Sequence, residues 1–324
     1  MKEARRFVYG PVPSRRLGFS LGVDILPFKS CTLDCVYCQL GRTPRTTDRR
    51  RSWFPAKDVL AQVRGALGSG QRIDAVTFSG SGEPTLNKDL GRLIREIKKM
   101  TRIPVVVLTN GTLLSRKDVR DDLAAADIVV PSLDAATAAR FRRVNRPHPS
   151  LRADKVLDGL VAFRKGFAGR IWLEIMLVKG TNDSPADLRA LKRAADRIRP
   201  DRIHLNTVVR PPAEVRAKPL SPAELRRIRG LFGPRAEVIA SFEKKGQVAA
   251  PAGLEEDVLA TVGRRPVTAD DIAASLGRHR DEVLKTLARL LGRRRVRAVA
   301  HRGRTFYRAA EAAGPGPVST HLIR

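Results

Sequence analysis

Between Gly22 and about Phe232 the chain alternates short apolar runs of strand length with longer stretches whose apolar residues recur every three or four positions. The short runs fall at 23–27, 75–79, 104–108, 128–133, 171–178 and 202–208. Their near-continuous apolar character fits strands buried on both faces of a parallel sheet. Helical periodicity occupies 58–67, 88–100 and 186–198, with Leu90, Leu93, Ile94 and Ile97 forming one such face. Six strand and helix repeats in succession predict an α/β fold with right-handed crossovers, a partial parallel (β/α)6 barrel. In such a barrel the chemistry sits in the loops that follow the C-terminal ends of the strands.

After Phe232 the pattern changes. Gly233-Pro234, an apolar run at 238–242 and Ala249-Ala250-Pro251-Ala252-Gly253 predict a last strand followed by a linker. Three short helical patterns follow at 254–262, 268–276 and 280–291, the second opened by Thr268 as a cap with Asp270 and Asp271 in its first turn. Strands at 296–300 and 305–307 about Arg302-Gly303-Arg304 complete a winged-helix-like signature. From Ala309 onward, with Gly314-Pro315-Gly316-Pro317, a disordered tail is expected. The expected domains are thus 1–250, 251–308 and a tail at 309–324.

Composition excludes a wholly disordered chain: 42% of the 324 residues are hydrophobic and 29% charged. No apolar run approaches the roughly 20 residues of a membrane span, and Met1-Lys2-Glu3-Ala4-Arg5-Arg6 lacks the apolar core of a secretory signal. The expectation is a cytoplasmic protein without a membrane partner. Lys and Arg number 62 against 33 Asp and Glu, a formal charge of +29 that attracts polyanions, RNA and DNA first. The excess is spread along the whole chain, which an Arg-favouring coding bias would also produce. The most concentrated stretch is 293–308, where Arg293, Arg294, Arg295, Arg297, Arg302, Arg304 and Arg308 occur beside Phe306 and Tyr307 with no acid.

All three cysteines, Cys31, Cys35 and Cys38, lie in the loop after the first expected strand. An odd, tightly bunched set is a poor disulfide framework and reads as metal ligands. Three thiolates cannot close a structural zinc site, and none of the five histidines is near in sequence. A cubane iron-sulfur cluster would be held at three corners with one iron open. Zinc remains as the alternative, if a distant His or Asp completes the site.

Further candidates follow the other strands. Ser79-Gly80-Ser81-Gly82-Glu83-Pro84 bares backbone groups to a ligand and offers a carboxylate for a cationic amine. Thr109-Asn110-Gly111 is a turn by default. Ser132 and Asp134, two apart at a strand end, point to one side and can bond sugar hydroxyls. Glu174 sits within an apolar strand and must be paired or face the barrel lumen. Asn206 projects from the sixth strand, Arg210 after it is an anion clamp or a surface ion pair, and His204 reads as a core histidine.

The Cys-x3-Cys-x2-Cys run, with Tyr37 before its last cysteine, resembles the radical S-adenosylmethionine (SAM) superfamily. That resemblance implies a [4Fe-4S] cluster on Cys31, Cys35 and Cys38, and S-adenosylmethionine chelated at the open iron. It also implies an electron donor of the flavodoxin or ferredoxin type, whose electron cleaves the sulfonium to a 5′-deoxyadenosyl radical that abstracts a substrate hydrogen. The glycine-rich turn matches the family's Gly-Gly-Glu-Pro element, with Ser81 standing where the first Gly is usual. Tyr37, Gly82, Glu83, Ser132 and Asp134 are the residues the resemblance assigns to the cofactor, and Asn206 joins them as a cofactor candidate from its place on the sixth strand; the implied fold is the radical SAM partial barrel, to which the element pattern adds a winged-helix-like appendage.

A closer resemblance rests on Tyr9-Gly10-Pro11-Val12-Pro13-Ser14-Arg15-Arg16-Leu17-Gly18 and on the residues flanking the cysteines, at 25–31 and 38–43. It is to the subfamily related to the wyosine-forming tRNA enzymes, many of whose bacterial members have no assigned substrate. The enzymes that build the imidazopurine ring hold a second cluster on extra cysteines; this chain has no fourth cysteine. The expected function is radical modification of a nucleic acid, tRNA first. The alternatives are a protein-modifying enzyme of the glycyl-radical activase type and a cluster-bearing transcriptional sensor.

Overall fold

The computed structural model describes residues 5–14, 16–240, 253–278 and 280–310. It opens with an antiparallel pair that the apolar pattern did not disclose, β1 (Val8–Ser14) and β2 (Gly18–Val23). The strand expected at 23–27 is corrected: it ends at Val23, and residues 24–27 lead off as loop. The reason is local. Pro11 and Pro13 mark β1 as an edge strand, where a missing N–H is tolerated. Gly18, Ser20 and Gly22 interrupt the apolar run of β2. Gly22 is required, since a Cβ there would lie 2.0 Å from Cζ of Tyr9, whose ring covers the β2 backbone.

Helices and strands then alternate: α1 (Ala56–Leu67), β3 (Ala75–Phe78), α2 (Leu90–Met100), β4 (Val105–Thr109), α3 (Lys117–Leu123) and β5 (Ile128–Pro131). They are followed by α4 (Ala138–Asn145), α5 (Ala153–Gly166), β6 (Arg170–Leu177), α6 (Pro185–Ile198), β7 (Arg202–Thr207), α7 (Pro222–Phe232) and β8 (Ala236–Val238). The eight strands lie in sequence order, β2 to β8 all parallel. The last strand is shorter than the expected 238–242, and positions 241 and 242 lie outside the described residues, as does most of the expected linker.

Side chains alternate cleanly. Val105, Val107, Val129, Leu173 and Leu205 pack into the large core beneath the helices. Val106, Ile128, Val130 and Trp172 form a second cluster on the other face. Burial on both faces is what makes these strands read as continuous apolar runs. By the same alternation Thr77, Glu174, His204 and Asn206 share the inner face with Trp172. The Arg16 guanidinium, between β1 and β2, donates to Glu174 on β6. Three strands intervene, roughly 19 Å of flat sheet at about 4.8 Å per strand, so the sheet must curl around its inner face for these side chains to meet.

The C-terminal part consists of α8 (Leu254–Val262), α9 (Ala269–Leu276), α10 (Arg280–Gly292) and an antiparallel hairpin of β9 (Val296–His301) and β10 (Arg304–Ala309). It has its own core, built on Val258, Ile272, Val283, Leu287 and Leu290. Thr268 caps α9 by accepting the Asp271 amide at 3.1 Å, and Val267 pairs with Tyr307 through two backbone bonds. The chain is still in strand at Ala309, where the disordered tail was expected to begin, and residues 311–324 lie outside those described. This module packs on β1: the Arg264 guanidinium stands 4.2 Å over the Tyr9 ring and donates to the Arg6 carbonyl at 2.9 Å. Among the described residues no helix is long and apolar enough to cross a membrane.

Candidate functional site

The three cysteines sit in the long loop between β2 and α1, held by backbone contacts to the next βα loop. Lys29 N–H donates to the Ser81 carbonyl at 2.6 Å, and Glu83 N–H to the Ser30 carbonyl at 2.9 Å. Gly82 lies so close that a Cβ would fall 1.9 Å from Ser30 O, which explains a glycine at that point of the turn. On the far side Asp34 and Val36 donate to carbonyls at the end of α4, and Asp34 in turn accepts Thr43 N–H at 2.6 Å and Arg42 Nε at 2.8 Å.

Each sulfur meets one side-chain N–H donor from a different place, and Cys31 also accepts from the Leu33 backbone. Asn110 Nδ2 lies 3.6 Å from Cys31 Sγ, Asn145 Nδ2 3.4 Å from Cys35 Sγ, and Lys29 Nζ 3.2 Å from Cys38 Sγ. Lys29 is buried, and its ammonium also donates to the Gly41 carbonyl at 2.8 Å, which commits it to this loop. Burial first, then the charge of Glu83, pushes the Cys31 thiol up to about 12; burial and Asp134 push Cys35 up as well. A cationic centre reverses that preference by taking the thiolate form. Among the described residues the side-chain donors beside the sulfurs are the Asn110 and Asn145 amides and the Lys29 ammonium, none of which would complete a zinc site. Three thiolates with three N–H donors suit a larger, electron-rich cluster whose sulfurs accept hydrogen bonds.

The two carboxylates expected at the cofactor are deeply engaged. Glu83 accepts the Thr85 amide at 3.1 Å, the Thr85 and Thr109 hydroxyls at 2.6 Å, and the Asn110 amide at 2.6 Å. Burial nonetheless outweighs these bonds and holds its carboxyl above the usual value. Asp134 accepts from the Tyr37 hydroxyl, from Asn145 Nδ2 at 2.8 Å and from the Met176 amide at 2.9 Å. Burial raises it to about 6. Both therefore tie loops together: Glu83 joins the turns after β3 and β4, and Asp134 joins the cysteine loop to β5 and β6. Ser132 N–H bonds the Thr109 carbonyl, and the residue bridges to Glu174.

A cleft of about 310 Å³ opens over the C-terminal ends of the strands. Tyr37 and Cys38 line one side, and Glu174 and Asn206 lie on its inner face. Asn206 Nδ2 donates to Glu174 Oε1 at 2.9 Å, so Glu174 is paired and faces the lumen. Arg210 reaches Gln39 Oε1 at 3.2 Å on the rim. Thus the structure brings Tyr37, Cys38, Glu174, Asn206 and Arg210 to one cavity, while Gly82, Glu83, Ser132 and Asp134 lie in the loops behind it. His204 is buried against Trp172, and burial, then Arg16, lowers it to about 4, so it is neutral at pH 7.

Five residues escaped the sequence analysis. Lys29 and Asn145 carry no signal beyond being a lone Lys and a lone Asn. Arg264 and Arg265, with Thr261, close the cleft from the C-terminal module. Their signal was an arginine pair before Pro266, lost in the general arginine excess.

The model of the Radical SAM superfamily matches residues 25–206, more than half of the chain, and the chain therefore belongs to that superfamily of enzymes, whose cofactors are a [4Fe-4S] cluster and S-adenosylmethionine. Along most of its length it is similar to the UPF0026 proteins. It is 33% identical over 286 residues to that of Methanocaldococcus jannaschii, covering 86% of this chain and 85% of the relative. For Helicobacter pylori strain J99 the identity is 33% over 293 residues, with 88% and 93% covered. A Brachyspira hyodysenteriae protein named GTPase Obg is 38% identical over 90% of this chain, which spans only 43% of that protein. Among solved structures, Streptococcus suis SuiB bound to S-adenosylmethionine superposes with a TM-score of 0.52 at 19% identity, covering 68% of this chain and 50% of SuiB. At that identity the likeness is one of fold.

Proposed function

We propose that this chain is a radical SAM enzyme acting on a nucleic acid, tRNA first. The observation that carries the reading is the opening of the cysteine loop, through Cys38 and Tyr37, onto a cleft with Arg16, Arg210, Arg264 and Arg265 in its walls. In this reading Cys31, Cys35 and Cys38 hold the cluster. Lys29, Asn110 and Asn145 supply the N–H donors that tune it. Tyr37 and Asn206, which line the cleft, would contact S-adenosylmethionine. Gly82 and Ser132 shape its pocket with backbone, and Glu83 and Asp134 position the loops rather than offering a free carboxylate. The bound cofactor pair supplies a 5′-deoxyadenosyl radical for hydrogen abstraction once a donor of the flavodoxin or ferredoxin type delivers an electron. The chain's own contribution is to exclude water from the cleft and to hold the substrate against Cys38.

The nucleic-acid reading draws on the arginine rim and on the resemblance to the wyosine-related subfamily. Relatives named GTP 3′,8-cyclase, such as that of Lactiplantibacillus plantarum at 31% identity over 47% of this chain, favour a purine nucleotide in the cleft. We read 1–250 as the barrel and 251–308 as a winged-helix-like module, cytoplasmic with reduced thiols. Nucleoside mass spectrometry of tRNA from a strain lacking this protein tests the substrate. A modified nucleoside that disappears and returns on complementation is expected. An unchanged nucleoside profile would move the activity to a protein substrate.

A further inference from the structure

A second cavity, of about 320 Å³, lies between the cysteine loop and the C-terminal module. The loop contributes Phe28 and Leu40; the module contributes Arg265, Arg297 and Arg308, and among the described residues no carboxylate lines it. Arg297 and Arg308 are direct partners across the β9–β10 ladder, where like charges repel. Arg265 and Arg308 have no hydrogen-bond or ion-pair partner among the described residues, and Arg308 Nε is buried without an acceptor. The neighbouring Arg264 is occupied by Tyr9, the Arg6 carbonyl and the Ala260 carbonyl. Phe28 is 58% exposed, a large flat face three positions before Cys31. Arg265 and Gln39 line both cavities, so the groove adjoins the cleft at Cys38.

The Arg265 and Arg308 guanidinium groups, without a partner among the described residues, call for an anion, and an open aromatic ring beside them calls for a planar group. We propose that this groove is the entry subsite for a nucleoside phosphate, with Arg265 and Arg308 on the phosphate and Phe28 stacked on the base, feeding the nucleotide toward Cys38. The subsite gives chemical content to the nucleic-acid reading above and rests on it. The phosphate comes either from a free nucleotide or from a strand, and both are recognised by the same two contacts.

The test uses the full chain with its cluster reconstituted anaerobically. Anisotropy of a labelled single-stranded RNA of about a dozen nucleotides is followed across a salt series, with guanosine 5′-monophosphate and an acidic peptide as competitors. The Arg265→Gln, Arg308→Gln double variant is expected to bind at least roughly tenfold more weakly. Its log-log salt slope should be shallower by about 1.4, from about 0.7 per single-strand phosphate contact. Phe28→Leu should weaken binding several-fold with the slope unchanged, which keeps the test decisive if the double variant does not fold. Competition by the mononucleotide at comparable concentration assigns the subsite to a free nucleotide; binding of the strand alone assigns it to RNA. Unchanged affinity and slope in the double variant, or an acidic peptide that competes as well as the nucleotide, would overturn the proposal. A chain that carries its cluster and cleaves S-adenosylmethionine but fails this test has lost the subsite alone; a chain without a cluster has lost the reading of the cysteines.

Discussion

The arginines of the barrel and those of the module's inner rim carry the same charge in opposite circumstances. Arg50, with a side chain only 4% exposed, donates to the Thr85 and Asn87 carbonyls at 2.7 and 3.0 Å and to Asp118 and Asp122. It is a bolt between the glycine-rich turn and α3. Arg265 and Arg308 face a cavity with no acid among the described residues of its walls. Net charge does not separate these cases, because both raise it equally. Pairing does: a guanidinium with every donor used holds the fold, and one left facing a groove is available to a ligand.

That contrast breaks most sharply at the cysteines. Replacing Cys31, Cys35 or Cys38 by Ala is expected to abolish the cluster and all S-adenosylmethionine cleavage, because two thiolates do not hold a cubane with an open corner. Iron and sulfide analysis of protein prepared without oxygen checks this, and the module should keep its helical signal throughout. A variant retaining full sulfide would place the cluster elsewhere.

Next in size, Arg50→Ala should cost about 3 kcal/mol of stability, since it leaves Asp122 and two carbonyls without their donor in a buried site. Asp118 keeps Arg116 and is only partly affected; Arg116 and Arg50, in that order, hold it at about 2 despite some burial. Denaturant titration should show the loss in the barrel transition. The same measurement on Arg265→Gln should show little change, and equal losses would erase the distinction between the two kinds of arginine.

Asp134 sharpens the comparison through pH. Its native carboxyl is raised to about 6 against an ordinary 3.8. Between those values the native state holds the proton more tightly than the unfolded state, so this group's contribution to stability is greatest below pH 3.8 and falls as pH rises to about 6. The loss is on the order of 2 kcal/mol. Asp134→Asn removes the titration, so the difference in stability between variant and wild type should move in the variant's favour across that window. A pH-independent difference would show that the Asp134 carboxyl titrates normally.

The smallest expected effect lies in the module. Thr268→Ala removes the α9 cap and should cost about 1 kcal/mol there. Cluster content should be untouched, whereas a loss of cluster would mean that barrel and module fold as one unit.

The parallel strands β3 to β7 were legible in the sequence because both faces are buried, which leaves an uninterrupted apolar run. The pair β1 and β2 was not, since prolines and glycines needed for an edge strand and for the Tyr9 packing erase that signal. The position of the Cys31, Cys35 and Cys38 loop beside the Gly82 turn was legible because each follows a strand end, where the fold gathers its loops. The direction of the Glu83 and Asp134 carboxylates was not: residue identity places a charge on a loop, and only packing decides that it turns toward Thr109 or Tyr37. Lys29 and Asn145 were invisible for a related reason, since a single donor has no period or spacing to betray it.

The most direct test of the account is anaerobic reconstitution of the full chain with iron and sulfide, followed by reduction in the presence of S-adenosylmethionine. The account predicts about four iron and four sulfide per chain and formation of 5′-deoxyadenosine that depends on all three cysteines. Stoichiometric zinc without sulfide, or a reduced cluster that leaves S-adenosylmethionine intact, would contradict it.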